Sequence, residues 1–165
     1  MPDLKQLYEK VTKSKCFDSF GYLAHFFVML DDKFEPSEDW QVGFYNKDTK
    51  EVESFTAGKE VTVIEKSKAF RKDDKAVLEL SLEKVKVDFK KALEIAKKFQ
   101  EEKYSSQPPK QAIVILQNLD SVITWNITFI TFTYSTLNIK INAETGEVYS
   151  DDFGSLLQWN AKAKN

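Results

Sequence analysis

Two segments 85 residues apart obey the same local rules, and that correspondence limits what this chain can fold into more than any other feature. Asp3 precedes Leu4, Leu7, Tyr8 and Val11, and Asp88 precedes Phe89, Ala92, Leu93, Ala96 and Phe99. In each case a capping carboxylate stands ahead of apolar residues at i, i+3, i+4 and i+7, the stripe of an amphipathic helix. The spacing predicts helices over 4–15 and 88–104. The second carries Lys90-Glu94, Glu94-Lys98, Lys97-Glu101 and Lys98-Glu102 as i, i+4 pairs on its outer side and stops before Pro108-Pro109. The same offset superposes Trp40-Gln-Val42-Gly-Phe44 on Trp125-Asn-Ile127-Thr-Phe129. An offset of 96 superposes Asn46-x-x-Thr49-x-Glu51-Val52-x-Ser54 on Asn142-x-x-Thr145-x-Glu147-Val148-x-Ser150, so the second copy carries about one extra strand between its matched pieces.

Most of the remaining chain has the period of strands. Tyr22–Leu30 is crowded with apolar residues, and Leu23, Ala24, Phe27 and Leu30 would also suit a helix. Its aromatic and β-branched content, between Gly21 and Asp31-Asp32, favours a buried strand. Trp40, Val42 and Phe44 alternate as in a half-buried strand, a turn follows at 46–50, and Glu51 to Phe55 forms the second arm. A short strand at Val61–Ile64, a charged linker or exposed loop at Lys66–Lys75, and an extended segment at Leu78, Leu80 and Leu82 come next. After the second helix, strands are expected at Ala112–Leu116, Val122–Thr133 and Leu137–Asn142. Gly146 then takes a positive φ in a turn that returns through Val148. Leu156, Leu157 and Trp159 dock the end of the chain before a Lys-rich tail frays. The expected class is α+β, with helices packed on antiparallel sheet in two pseudo-repeats of α-β-β-β type, 1–75 and 76–165, forming one compact unit.

Composition excludes several function classes. With 42% hydrophobic and 30% charged residues the chain can bury a core without metal or disulfide. The formal charge of −2 and the presence of Arg71 as the one arginine argue against nucleic-acid binding. No apolar run approaches the roughly 18 residues of a bilayer span. Cys16 is the single cysteine, which excludes an internal disulfide, and no apolar leader opens the sequence, so a cytoplasmic protein is expected. The Asn126-Ile127-Thr128 sequon then carries no meaning.

Catalytic chemistry is equally sparse. His25 lies inside Tyr22-Leu-Ala-His-Phe-Phe, where a structural role is expected, because no partner nucleophile or orienting group is evident. Cys16, between Lys15 and Phe17, is read as a bystander. The doublets Asp31-Asp32, Asp73-Asp74 and Asp151-Asp152 raise the question of a metal, but adjacent strand residues face opposite ways and loop doublets are usually solvated. Phosphate-cradling glycine loops, His-Glu-x-x-His and a nucleophile elbow are all missing. The expectation is no catalytic residue, no cofactor and no metal site.

The second half resembles the PepSY domain family. The resemblance rests on Val87-Asp88-Phe89-Lys-Lys-Ala92-Leu93-Glu94-Ile95-Ala96, on Trp125-Asn126-Ile127-Thr128, and on Ile139-Lys-Ile141-Asn142-Ala143-Glu-Thr145-Gly146-Glu147-Val148. It covers roughly 60 of the 165 residues. Asn142 stands where that family usually has Asp, and the first half departs further, with Lys50 in place of the glycine. The resemblance implies a small non-catalytic module that binds or restrains peptidases.

On the strand 124–129, Trp125, Ile127 and Phe129 face one way, expected to be under a helix, while Thr124, Asn126 and Thr128 face the other, expected to meet water. This polar surface, or an open sheet edge, could engage a partner strand or extended peptide. The leading expectation is therefore a protein- or peptide-binding module. The alternatives are a small apolar-ligand carrier with a pocket between helix and sheet, an uncharacterised hydrolase, and a homodimer formed through a strand edge.

Overall fold

A computed structural model describes residues 3–18, 21–68 and 76–156. Helix α1 (Leu4–Thr12) leads into strands β1 (Tyr22–Leu30), β2 (Gln41–Asn46), β3 (Glu51–Ala57) and β4 (Val61–Lys68). Helix α2 (Phe89–Lys103) leads into β5 (Pro109–Leu119), β6 (Val122–Thr131), β7 (Ser135–Asn142) and β8 (Val148–Ser155). Each helix is thus followed by four strands, one more than the α-β-β-β expectation. The eight strands form one sheet in the order β4-β3-β2-β1-β5-β6-β7-β8, antiparallel throughout. The α+β class holds.

Both helices start where a carboxylate satisfies free amides. Asp3 accepts from the Lys5 N–H at 2.9 Å and Asp88 from the Lys91 N–H at 2.8 Å. Helix α1 is shorter than its periodicity suggests. The Ser14 N–H and hydroxyl both turn back onto the Val11 carbonyl, closing the last turn early. On α2, Lys98 meets Glu102 as expected, whereas Glu94 pairs with Lys91.

Both helices lie on the same side of the sheet. Tyr8 of α1 meets Phe44 with ring centroids 6.1 Å apart, and Phe89 of α2 meets Trp125 at 5.9 Å. The Trp125 indole donates to the Val87 carbonyl at 2.8 Å, so its buried N–H is satisfied. One cross-strand row on this side runs Phe55, Val42, Phe26, Leu116, Trp125 and Ile141, each fully shielded from solvent. Trp40 sits just ahead of β2 rather than within it, and its ring meets Phe89 edge-on at 5.1 Å. The first half is thereby stitched to α2.

Turn chemistry sets the hairpins. Asp120 and Ser121, with φ of 49° and 72°, form the two-residue turn between β5 and β6, whose twist matches the flanking strands. Gly146 has φ of 82°, as its position required, and Lys50 adopts φ of 57° without being glycine. Asn46 and Asn142 each accept from the backbone N–H groups two and three residues on. The two turns are alike locally, but one joins β2 to β3 and the other β7 to β8. The whole of β7 lies between the Trp125 strand and the Asn142 turn.

Strand β4 extends to Lys68 and so takes in the start of the expected linker. Residues 69–75, and the expected docking residues Leu157 and Trp159, lie outside the described residues. Leu80 is buried and its N–H donates to the Leu23 carbonyl, but its segment joins no strand of the sheet.

Candidate functional site

The strand register assigns every paired residue to one of two faces, and among the described residues neither helix covers the second face. One row across it reads Thr62, Thr56, Gln41, Phe27, Ile115, Asn126, Lys140 and Ser150. A neighbouring row reads Met29, Ile113, Thr128, Asn138 and Asp152, and another reads Ser54, Gly43, His25, Gln117 and Thr124. On β1, β2, β3, β5 and β6 these rows contain no lysine, aspartate or glutamate. Phe27, Met29, Ile113 and Ile115 are half-buried at the centre. In a chain that is 30% charged, this is an unusual surface.

The polar part of the face is tied together rather than freely hydrated. The Asn138 amide donates to Asn126 Oδ1 at 2.6 Å and to Thr128 Oγ1 at 2.8 Å. Thr124 shares a hydrogen bond of 2.7 Å with the Tyr149 hydroxyl. Thr124 and Thr128 are buried, contrary to the expectation that this side of β6 meets water.

His25 stands among these residues. Its ring lies over Gly43, where a Cβ would come within 2.1 Å of the ring. Burial lowers its pKa from 6.5 to about 4, so the imidazole is neutral near pH 7.

The helical side offers a different feature. A groove of about 710 Å³ runs between α1 and the start of α2, with Leu4, Tyr8, Leu82, Val85 and Phe89 among its lining residues and Asp3, Glu9, Glu83 and Asp88 beside them. It lies against the helices, while a second groove of about 570 Å³, lined by Tyr8, Thr12, Leu23, Phe44 and Leu80 among others, lies between α1 and the sheet, where the sequence suggested a pocket.

The remaining candidates are dispersed. Cys16 is a half-buried free thiol beside Ser14 and the Val61 carbonyl. Asp31 accepts from the Lys33 and Glu35 amides and so shapes a loop. Asp73 and Asp74 lie outside the described residues. Among the described residues, no three His, Cys, Asp or Glu side chains are placed to hold a metal ion, and no helix is long and apolar enough to cross a membrane.

No family model matches the chain, and no curated protein matches it. Among solved structures it is similar to the crystal structure of a "putative lipoprotein" from Clostridium difficile 630, with a TM-score of 0.50 and 16% identity over 80% of this chain and 83% of that one. The likeness is one of fold.

Two clusters were missed in the sequence, although Asp151 belongs to a doublet that it marked. Asp151 accepts from Lys103 Nζ at 2.9 Å and from the Tyr104 hydroxyl at 2.5 Å, while Tyr104 stacks on Phe153. The hydrogen bond to Asp151, with burial and the charge of Asp151 itself, pushes Tyr104 up to about 12. The same bond, with Lys103, lowers Asp151. Glu53 is buried on the helix side, and burial raises its carboxyl; Lys66 at 3.9 Å works against that shift, and Asp18 adds to it. Both clusters join residues far apart in the chain, beyond the reach of local periodicity.

Proposed function

We propose that this chain is a non-catalytic protein-binding module, of the kind the PepSY resemblance implies, engaging a protein or extended peptide through the helix-free face of its sheet. The observation that carries this reading is the uncharged centre of that face. Desolvating a lysine or carboxylate is expensive, and interface cores are depleted of charge and enriched in aromatic residues and Met. Phe27, Met29, Ile113 and Ile115 supply apolar contact, and the amides and hydroxyls around them supply orientation. The Trp125 strand is central in the sheet, so it would act through its side chains, while strand addition is open only to the outer strands β4 and β8.

A photoreactive residue placed at position 115 tests this reading. It should capture a partner that the same group at Lys98, on the outside of α2, does not, and Asn126→Lys should abolish the capture. Equal capture from both positions, or none, would contradict the reading.

Internal duplication is part of the proposal. It is supported by the order helix then four strands in each half, and by strand order that mirrors about the β1–β5 pair. A cytoplasmic location is also proposed, on the strength of a lone free thiol. The lipoprotein name belongs to the structural neighbour, and recovery of this chain in a membrane fraction would overturn the assignment.

The groove beside α1 favours a second reading, a carrier of small apolar ligands. Saturable binding of an apolar fluorescent probe, lost in Tyr8→Lys, would support it. A flat titration would remove it.

A further inference from the structure

We infer that the helix-free face is occupied by a second copy of this chain, packed sheet to sheet; this rests on the reading of that face as a binding surface. Three observations point to self-association there. The first is charge. A two-fold contact sets a patch against itself, so a charged patch would oppose like with like. The centre of this face, around Phe27, Ile115 and Asn126, has no charge to oppose.

The second is hydrogen bonding. Asn, Gln and Thr side chains donate and accept, so a surface bearing Gln41 and Gln117 can satisfy its own copy. Lysine or carboxylate could not, since each offers only one of the two roles at neutral pH.

The third is size. The three rows hold 18 positions, and at a strand spacing of about 4.8 Å and a row spacing of about 7 Å they make a face on the order of 600 Å². That reaches the lower end of what one partner contributes to a specific interface, about 600 Å², and so fits a dimer that dissociates on dilution. Strand β8, the outer strand whose side chains are described throughout, is a poorer candidate for self-pairing. Its middle carries Asp151-Asp152, which antiparallel pairing about a two-fold axis would bring against the same pair.

Sedimentation velocity over a wide concentration range decides the matter. The chain should shift from monomer to dimer, Ile115→Lys should weaken the dimer more than tenfold while keeping the native circular dichroism spectrum, and Lys98→Ala, on the outside of α2, should leave it intact. Asn126→Lys supplies the same test if Ile115→Lys fails to fold. A monomer at every concentration, or a dimer that survives the lysine substitutions, overturns the inference. If the chain is monomeric yet position 115 still captures another protein, the inference falls and the binding-surface reading stands; if nothing is captured and no dimer forms, both fall.

Discussion

At the scale of the residue, His25 and Gly43 explain each other. The ring needs a neighbour without a Cβ, and the glycine in mid-strand gains the cover of the ring. The folded pKa of about 4 lies below the unfolded value of 6.5, so protons bind the unfolded chain first. This contribution is neutral above pH 6.5. It destabilises the fold increasingly as pH falls from 6.5 through 4, then levels off, by on the order of 2 kcal/mol for a half-buried ring. The loss of stability between pH 7 and pH 4, followed by urea unfolding, should be smaller by that amount in His25→Gln; equal losses would contradict this assignment. Lys50 is the opposite kind of site, an L-residue held at φ of 57°. Lys50→Gly should raise stability by about 0.5–1 kcal/mol, read as a higher unfolding midpoint. The sequence marked both positions, His25 as structural and Lys50 as the departure from glycine. It could not pair His25 with Gly43, because that contact depends on the register between two strands.

At the scale of the element, the caps and apolar stripes were legible because they are local. Asp88→Ala removes the acceptor for the Lys91 amide and should cost about 1 kcal/mol, measurable as a lower thermal midpoint. The C-terminal end of α2 fell within a residue of its expected place, but the anchor that holds it, Asp151 on β8, was not legible. Asp151→Asn should bring the Tyr104 titration down from about 12 toward the ordinary value of 10, visible as the ultraviolet absorbance of tyrosinate. An unchanged titration would mean that Asp151 is not its partner. Strand β1 was readable from aromatic and β-branched content despite helical spacing, because a sheet with buried residues on its helical side and half-buried ones at the centre of the other tolerates apolar residues on both. Helix α1 was over-read, since periodicity does not record a serine turning back on the preceding carbonyl.

At the scale of the whole molecule, the class was legible and the topology was not. The pairing of β1 with β5 brings Phe27 against Ile115, 88 positions apart in sequence, and nothing local encodes such a partner. That pairing nevertheless makes the uncharged face, because it lays Phe27 and Met29 beside Ile115 and Ile113. The Asn46 and Asn142 turns, matched by an offset of 96 that already required an extra strand, belong to different hairpins, β2–β3 and β7–β8. The central claim is that the face bearing Met29 is a contact surface, and oxidative footprinting tests it most directly. Met29 should be protected in the associated protein and react on dilution, while Phe132 and Tyr134, which are 61% and 71% exposed, react alike in both. Equal oxidation of Met29 in the associated and dilute protein would contradict the account.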